Sequence, residues 1–339
     1  MRRFALVLLL TAAAARPASS GAQRAVKPSI PVSTFSIVAR DPVTGDLGVA
    51  VQSHWFSVGS VVPWAEAGVG AVATQSFVEP AYGPKGLALM KQGVAPKEAL
   101  AKLLAADSER EVRQVAFVDA RGQVAVHTGT KCIPGAGHHS GDGFTTEANL
   151  MLTNEVPDAM AKAFTAARGP LAERMLAALD AAQSVGGDVR GKQSAAILVV
   201  RAKASDKPWT DRLVDLRIED HAAPLAEMRR LLTLHRAYEM MNRGDEAMAT
   251  GKMDAALKEY GDAAAMVPDN DEFVFWTAVA LVSNGRIDDA LPLFAKAFRM
   301  NPSWMLLVPR LPKVGQLPET PGLTARILAV GPKAELSAP

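Results

Sequence analysis

The chain has 339 residues, a net charge of +2, 49% hydrophobic and 21% charged residues. That length suffices for two domains, and so small a net charge argues against a nucleic-acid surface or a membrane-steered protein. A single cysteine, Cys132, excludes an internal disulfide framework and a CxxC redox site.

At the start, Arg2 and Arg3 form a short basic region, FALVLLLTAAAA an apolar core, and SSGA, ending at Ala22, offers small residues for cleavage. This is the pattern of an export leader, too short for the roughly 20 residues that a membrane span needs. The expectation is a secreted or periplasmic protein with residues 1–22 removed, 23–33 left as a linker or pro-segment, and no membrane span thereafter.

From residue 34, strand and helix signals alternate. TFSIVA (34–39) and DLGVAVQS (46–53) predict strands joined by a turn at DPVTG, and GVGAVATQ (68–75) a third. RQVAFVDA (113–120) and QVAVHTG (123–129) predict a hairpin, with SAAILVVRA (194–202) and DRLVDLRI (211–218) a late pair. Helices are expected over 85–93, 96–107, 157–168 and 170–183, with Pro96, Pro157 and Pro170 in first-turn positions. Strands such as GVAV, VAFV and AAILVV are apolar on both faces and so are buried from both sides. With four helices as covers, the fold class is α+β, a helix–sheet–sheet–helix sandwich.

Beyond residue 222 the strand signal stops and the chain repeats with a period of 34 residues. Gly251, Ala256, Leu257, Tyr260, Ala263, Met266 and Pro268 correspond to Gly285, Ala290, Leu291, Phe294, Ala297, Met300 and Pro302. Small, aromatic and Pro positions in this order resemble the tetratricopeptide repeat, with Gly244 at its small position. The second domain is thus a small all-α helical-repeat unit: a connecting helix (223–236), two repeats (237–303) and a Pro-rich tail (304–339) with a short helix at GLTARILAV. Two repeats fall short of the about three that a solenoid needs, so they should lean on the preceding helix (225–241) or on a partner surface.

The chemistry-bearing residues exclude more than they establish. None of the six histidines has a metal-ligand spacing, and His138 and His139 read as a solvated Gly-rich turn. His54 reads as packing near Trp55, and Cys132 as a buried filler. There is no GxGxxG, Walker loop or GxSxG, so neither a nucleotide cofactor nor a nucleophile elbow is expected. GGDVRGKQSAA (186–196) places Asp188 and Arg190 in a glycine-rich loop, either as a local pair in a turn or as a fixed site for a substrate amine or carboxylate.

TFSIVARDPVTGDLGVAVQS, VPWAEAGVGAVATQ, EANLML, GGDVRGKQSAAILVV and VDLRIEDHAAPLAEM occur in one order across residues 34 to about 230. Together they resemble the Ntn-hydrolase-like family catalogued as domain of unknown function 1028. The resemblance implies a four-layer αββα Ntn-hydrolase-like sandwich over 34–222 and makes Thr34 the candidate nucleophile. An N-terminal nucleophile must begin its chain, so that its α-amino group, with a pKa near ~8, serves as the base. Here a cut between Ser33 and Thr34 is required, Ser33 itself lying outside the motif. Asn149 is then a candidate oxyanion donor or else a strand-end Asn bonded to backbone, while Ser53, Thr74 and Gln75, on strands expected beside the first, would position the scissile carbonyl. The substrate would be a small amide or peptide, with no cofactor or metal. The repeats predict a protein partner or an oligomer contact. The alternative is a non-catalytic Ntn-fold binding protein with a protein-interaction appendage.

Overall fold

The computed structural model describes residues 34–332, and the leader, the segment 23–33 and the last seven residues lie outside them. The first strand, β1 (Thr34–Arg40), pairs antiparallel with β2 (Leu47–Ser53) through the turn at Asp41, whose carboxylate accepts from the N–H groups of Val43 and Thr44. Next come β3 (Pro63–Glu66), β4 (Gly70–Ser76), helices α1 (Tyr82–Lys91) and α2 (Pro96–Ala105), and the hairpin β5 (Arg113–Asp119) and β6 (Val124–Thr128). Then follow β7 (Gly137–Gly141), β8 (Phe144–Asn149), α3 (Val156–Ala166), α4 (Leu171–Ser184), β9 (Ser194–Val200) and β10 (Arg212–Ile218).

These strands make two antiparallel sheets, one ordered β10-β9-β2-β1-β8-β7 and the other β3-β4-β5-β6. Alternation along β1 sends Phe35, Ile37 and Ala39 outward against Met160 and Phe164 of α3 and Met175 and Leu179 of α4. Val38 faces inward, where Val49, Val51, Ala71, Ala73, Ala116 and Val118 close the gap between the sheets. On the far side Val72, Val115 and Phe117 pack under α1 and α2. Gly83 and Gly86, one turn apart on α1, let the helix approach closely, because a Cβ at either would overlap the Trp64 or Phe117 ring. The expected helix–sheet–sheet–helix order is present.

Three strands, β3, β7 and β8, were not foreseen. His138 and His139 lie on β7, an edge strand paired with β8, rather than in a solvated turn. Their rings bond Thr128 Oγ1 and Asp158 Oδ1. The strand β3 begins with Pro63 at a sheet edge, the place where a missing N–H costs no ladder bond.

A 26-residue helix, α5 (Pro224–Ala249), joins the sandwich to the repeats without a break at residue 236. Its first half contributes Leu225, Met228 and Leu232 to the core under the six-stranded sheet. Its second half packs Ala237 and Met241 against α6 (Met253–Met266). Helices α7 (Asp271–Ser283) and α8 (Ile287–Met300) form the second pair, and α9 (Trp304–Leu307) and α10 (Leu323–Leu328) close its far face. The two repeats therefore lean on their own chain at both ends. Among the described residues, no helix is long and apolar enough to cross a membrane.

Candidate functional site around Thr34

The layer between the sheets is apolar along most of its length and polar at one end. Thr34 opens β1 there, with Ser53 of β2 opposite it on one side and Asn149 of β8 on the other. All three are fully buried. The Thr34 hydroxyl lies 3.2 Å from Ser53 Oγ, and Gln75 Nε2 on the facing sheet donates to the Thr34 carbonyl at 3.4 Å. The side chains that the register sets beside Thr34 are thus neutral hydroxyls and amides.

Period-2 alternation decides which predicted residues take part. Ser53, Gln75 and Asn149 share the inner layer with Thr34. Thr74 does not, because its side chain turns to the outer face of its sheet and donates to the Glu79 carbonyl. Thr74 and Gln75 lie on the facing sheet, across the inner layer from the opening strand rather than next to it.

Asn149 donates through Nδ2 to Gln114 Oε1 at 3.0 Å, and its Oδ1 has no hydrogen-bond partner among the described residues. It is therefore held by a side chain of the second sheet rather than by strand-end backbone. Its second amide hydrogen and its Oδ1 are the groups it can offer to a ligand.

Asp188 is buried and heavily engaged. Its carboxylate accepts from the backbone N–H groups of His54 (3.2 Å) and Arg190 (2.9 Å), and pairs with the Arg190 guanidinium at 2.8 and 3.1 Å. The Val189 N–H donates to the Leu150 carbonyl, and Gln193 N–H to that of Ser53. The loop 186–191 is thereby tied to the residues that follow both neighbours of Thr34, and it bridges the two strands on either side of the start of β1. Asp188 is the anchor of this bridge, and the half-buried Arg190 is the group it holds in place.

Among the described residues, three that are not glycine adopt left-handed backbone: Ser57 (φ 55°), Ser76 (φ 68°) and Leu150 (φ 59°). Ser76 follows Gln75 directly, Leu150 follows Asn149, and Ser57 lies four residues past Ser53. Such conformations cost about 1–3 kcal/mol each and concentrate at functional sites.

Three residues of the inner layer lay outside the sequence reading. Ser36, Gln114 and Glu147 are all fully buried and lie in the same polar cluster. Ser36 and Gln114 are polar residues in strands that are otherwise mostly apolar, and Ser36 and Glu147 stand two residues from Thr34 and Asn149 on the same faces. Cys132 is buried beside the Arg113 carbonyl, and burial pushes its thiol up, against a role as nucleophile. Among the described residues no group of three or more His, Cys, Asp or Glu side chains gathers to hold a metal ion.

Fold and site define a class: a four-layer αββα protein whose larger sheet opens on a buried threonine, followed by a helical-repeat unit. Residues 34–228 match the family of unknown function DUF1028, and the chain belongs to that family. Residues 241–303 match the tetratricopeptide repeat. A protein of the same family from Silicibacter pomeroyi, known from a crystal structure, is 31% identical with a TM-score of 0.53. The match covers 59% of this chain and 84% of that one. No curated protein matches.

Proposed function

We propose that the protein is an N-terminal-nucleophile amide hydrolase, exported to the periplasm or cell exterior, with Thr34 as its nucleophile. The observation that carries this reading is the place of Thr34. It is the first residue of a central strand, buried between the hydroxyl of Ser53 and the amide of Asn149 on the two flanking strands. A threonine hydroxyl needs a base, and a free α-amino group at the same residue supplies one.

Maturation begins with attack of Thr34 Oγ1 on the Ser33 carbonyl carbon. The peptide N–C bond breaks, the nitrogen takes the hydroxyl proton, and Ser33 becomes an ester on Thr34. Water then hydrolyses the ester, releasing the Ser33 carboxylate and leaving Thr34 as the chain start. In turnover, the α-amine accepts the Oγ1 proton while the oxygen attacks a substrate amide. The departing amine takes that proton, and water opens the acyl-enzyme. The second Nδ2 hydrogen of Asn149 supports the oxyanion, Ser53 and Gln75 hold Thr34, and Arg190 receives a substrate carboxylate.

Intact mass and N-terminal sequencing of the exported protein test this reading. A chain beginning at Thr34, absent in Thr34→Ala, is expected. A catalytically active preparation that begins at Gln23 overturns it. The tetratricopeptide match supports a separate role for the C-terminal unit in binding a protein partner.

A further inference from the structure

Glu147 is a carboxyl group sealed between the two sheets, two residues before Asn149 on the same face of β8. It has no ion-pair partner among the described residues. Its Oε1 lies 3.2 Å from Ser36 Oγ, and its Oε2 contacts no donor. The direction of the bond to Ser36 follows from counting hydrogens.

Gln114 Nε2 donates to the carbonyls of Ala148 (2.9 Å) and Gly137 (3.1 Å), which only accept. That leaves Gln114 Oε1 as an acceptor, and it receives Gln75 Nε2 at 2.8 Å. The same Gln75 nitrogen faces the Thr34 carbonyl, so its Oε1 is the atom 2.8 Å from Ser36 Oγ. Ser36 has one hydroxyl hydrogen, and this acceptor takes it. Nothing remains on Ser36 to donate to Glu147, so the bond between them forms only if Glu147 is the donor. An ionised carboxylate here would be fully buried with both oxygens bare, a cost of several kcal/mol.

We propose that Glu147 is a positioning residue that carries its proton in the folded protein. That proton turns the Ser36 hydroxyl onto Gln75 and so keeps Gln75 against the Thr34 carbonyl. The idea rests on the reading of Thr34 as nucleophile only for its catalytic consequence. Burial acts in the same sense, raising the Glu147 carboxyl well above the usual carboxylate range against a smaller opposing effect of Ser36. Around it, β1, β4 and β5 present only the neutral Ser36, Gln75 and Gln114. The titratable neighbours are His138, opposite Glu147 on β7, and the Cys132 thiol, which feels its charge. Burial and His127 depress His138, which therefore adds no cation to ionise Glu147 near neutral pH.

The sign of the pH effect follows. A raised carboxyl binds a proton in the folded chain that the unfolded chain has lost, so its contribution to stability falls as pH climbs from about 4.3 toward the folded value. Glu147→Gln keeps a donor to Ser36 at every pH and removes this fall. Infrared spectroscopy should show the carbonyl stretch of a protonated carboxyl in the wild type and not in Glu147→Gln. The melting temperature of Glu147→Gln should gain on the wild type as pH rises above about 4.3. The Gln75 side-chain amide resonances should titrate with Glu147 in the wild type and stay fixed in Glu147→Gln, and Ser36→Ala should uncouple them. Cleavage before Thr34 should survive in Glu147→Gln. Absence of the protonated-carboxyl band with a pH-independent stability difference overturns the proposal. So does a folded Glu147→Gln protein that fails to cleave while the wild type does. If neither is cleaved, the Thr34 reading fails, and the infrared and Gln75 signals still decide the state and coupling of Glu147.

Discussion

At the scale of the residue, the protein sets a buried threonine between the neutral side chains of Ser53 and Asn149. Two consequences can be measured. Loss of the nucleophile in Thr34→Ala should lower kcat by on the order of 10⁴–10⁶, whereas Thr34→Ser should keep both cleavage and turnover. Asn149→Ala should cost about 10²–10³ in kcat with little change in KM, since its amide is proposed to meet charge that develops only in the transition state. The pH profile distinguishes the base. An α-amine must be neutral to accept the Oγ1 proton, so kcat/KM should rise with pH through a pKa near ~8 or below, and a pH-independent rate would exclude the amine. Thr34 and Asn149 were legible because motifs mark them, and Ser53 and Gln75 because they close strand-like runs. Gln114 and Glu147 were not, because their meaning depends on a layer that exists only when two sheets face each other.

At the scale of the element, strands rich in Val, Ile, Leu and Ala were readable, and those without were not. GHHSG carries no strand propensity and is a strand because β8 offers it a ladder. FTTEAN looks polar and is wholly buried, since its Thr, Glu and Asn find partners between the sheets or beneath α3. In the repeats the sequence pattern translates directly into packing. Gly244 on α5 sits under Tyr260 of α6 so closely that a Cβ would overlap the ring, and the Tyr260 hydroxyl donates to Asp245 at 2.7 Å. Gly244→Ala should gain about 1 kcal/mol in helix propensity and lose about 1–3 to overpacking, a net destabilisation. Gly261 on α6 has nothing within 4 Å of its added Cβ and a helical backbone. Gly261→Ala should stabilise by up to about 1 kcal/mol. Denaturant unfolding of the pair checks both signs, and two changes of the same sign would refute the packing argument.

At the scale of the whole molecule, the question left by two repeats is what replaces the third. The described residues answer it from both sides. On one side α5 continues out of the sandwich, where Arg229 and Arg236 pair with Asp180 and Glu173 of α4, and runs on into the first repeat. On the other side the tail covers the second repeat. Trp304 stacks on Phe275 with ring centroids 4.4 Å apart and donates from its indole nitrogen to Asp271. Val308, Leu311, Leu317, Leu323 and Ile327 bury themselves against α7 and α8. A solenoid's ends need such caps because each repeat buries only what its neighbour covers. Removing residues 304–339 should therefore strip the α7–α8 face and lower the stability of the repeat unit, while the sandwich keeps its cores above and below the sheets. Calorimetry should show the shortened chain melting in two steps, the earlier one belonging to the repeats, and Trp304→Ala should move that step in the same direction by about 2 kcal/mol or more. Since Leu225, Met228 and Leu232 stay in the sandwich core, cleavage before Thr34 should proceed unchanged in the shortened chain. If cleavage is lost although the sandwich transition persists, the repeats contribute to the Thr34 site and not to partner binding alone.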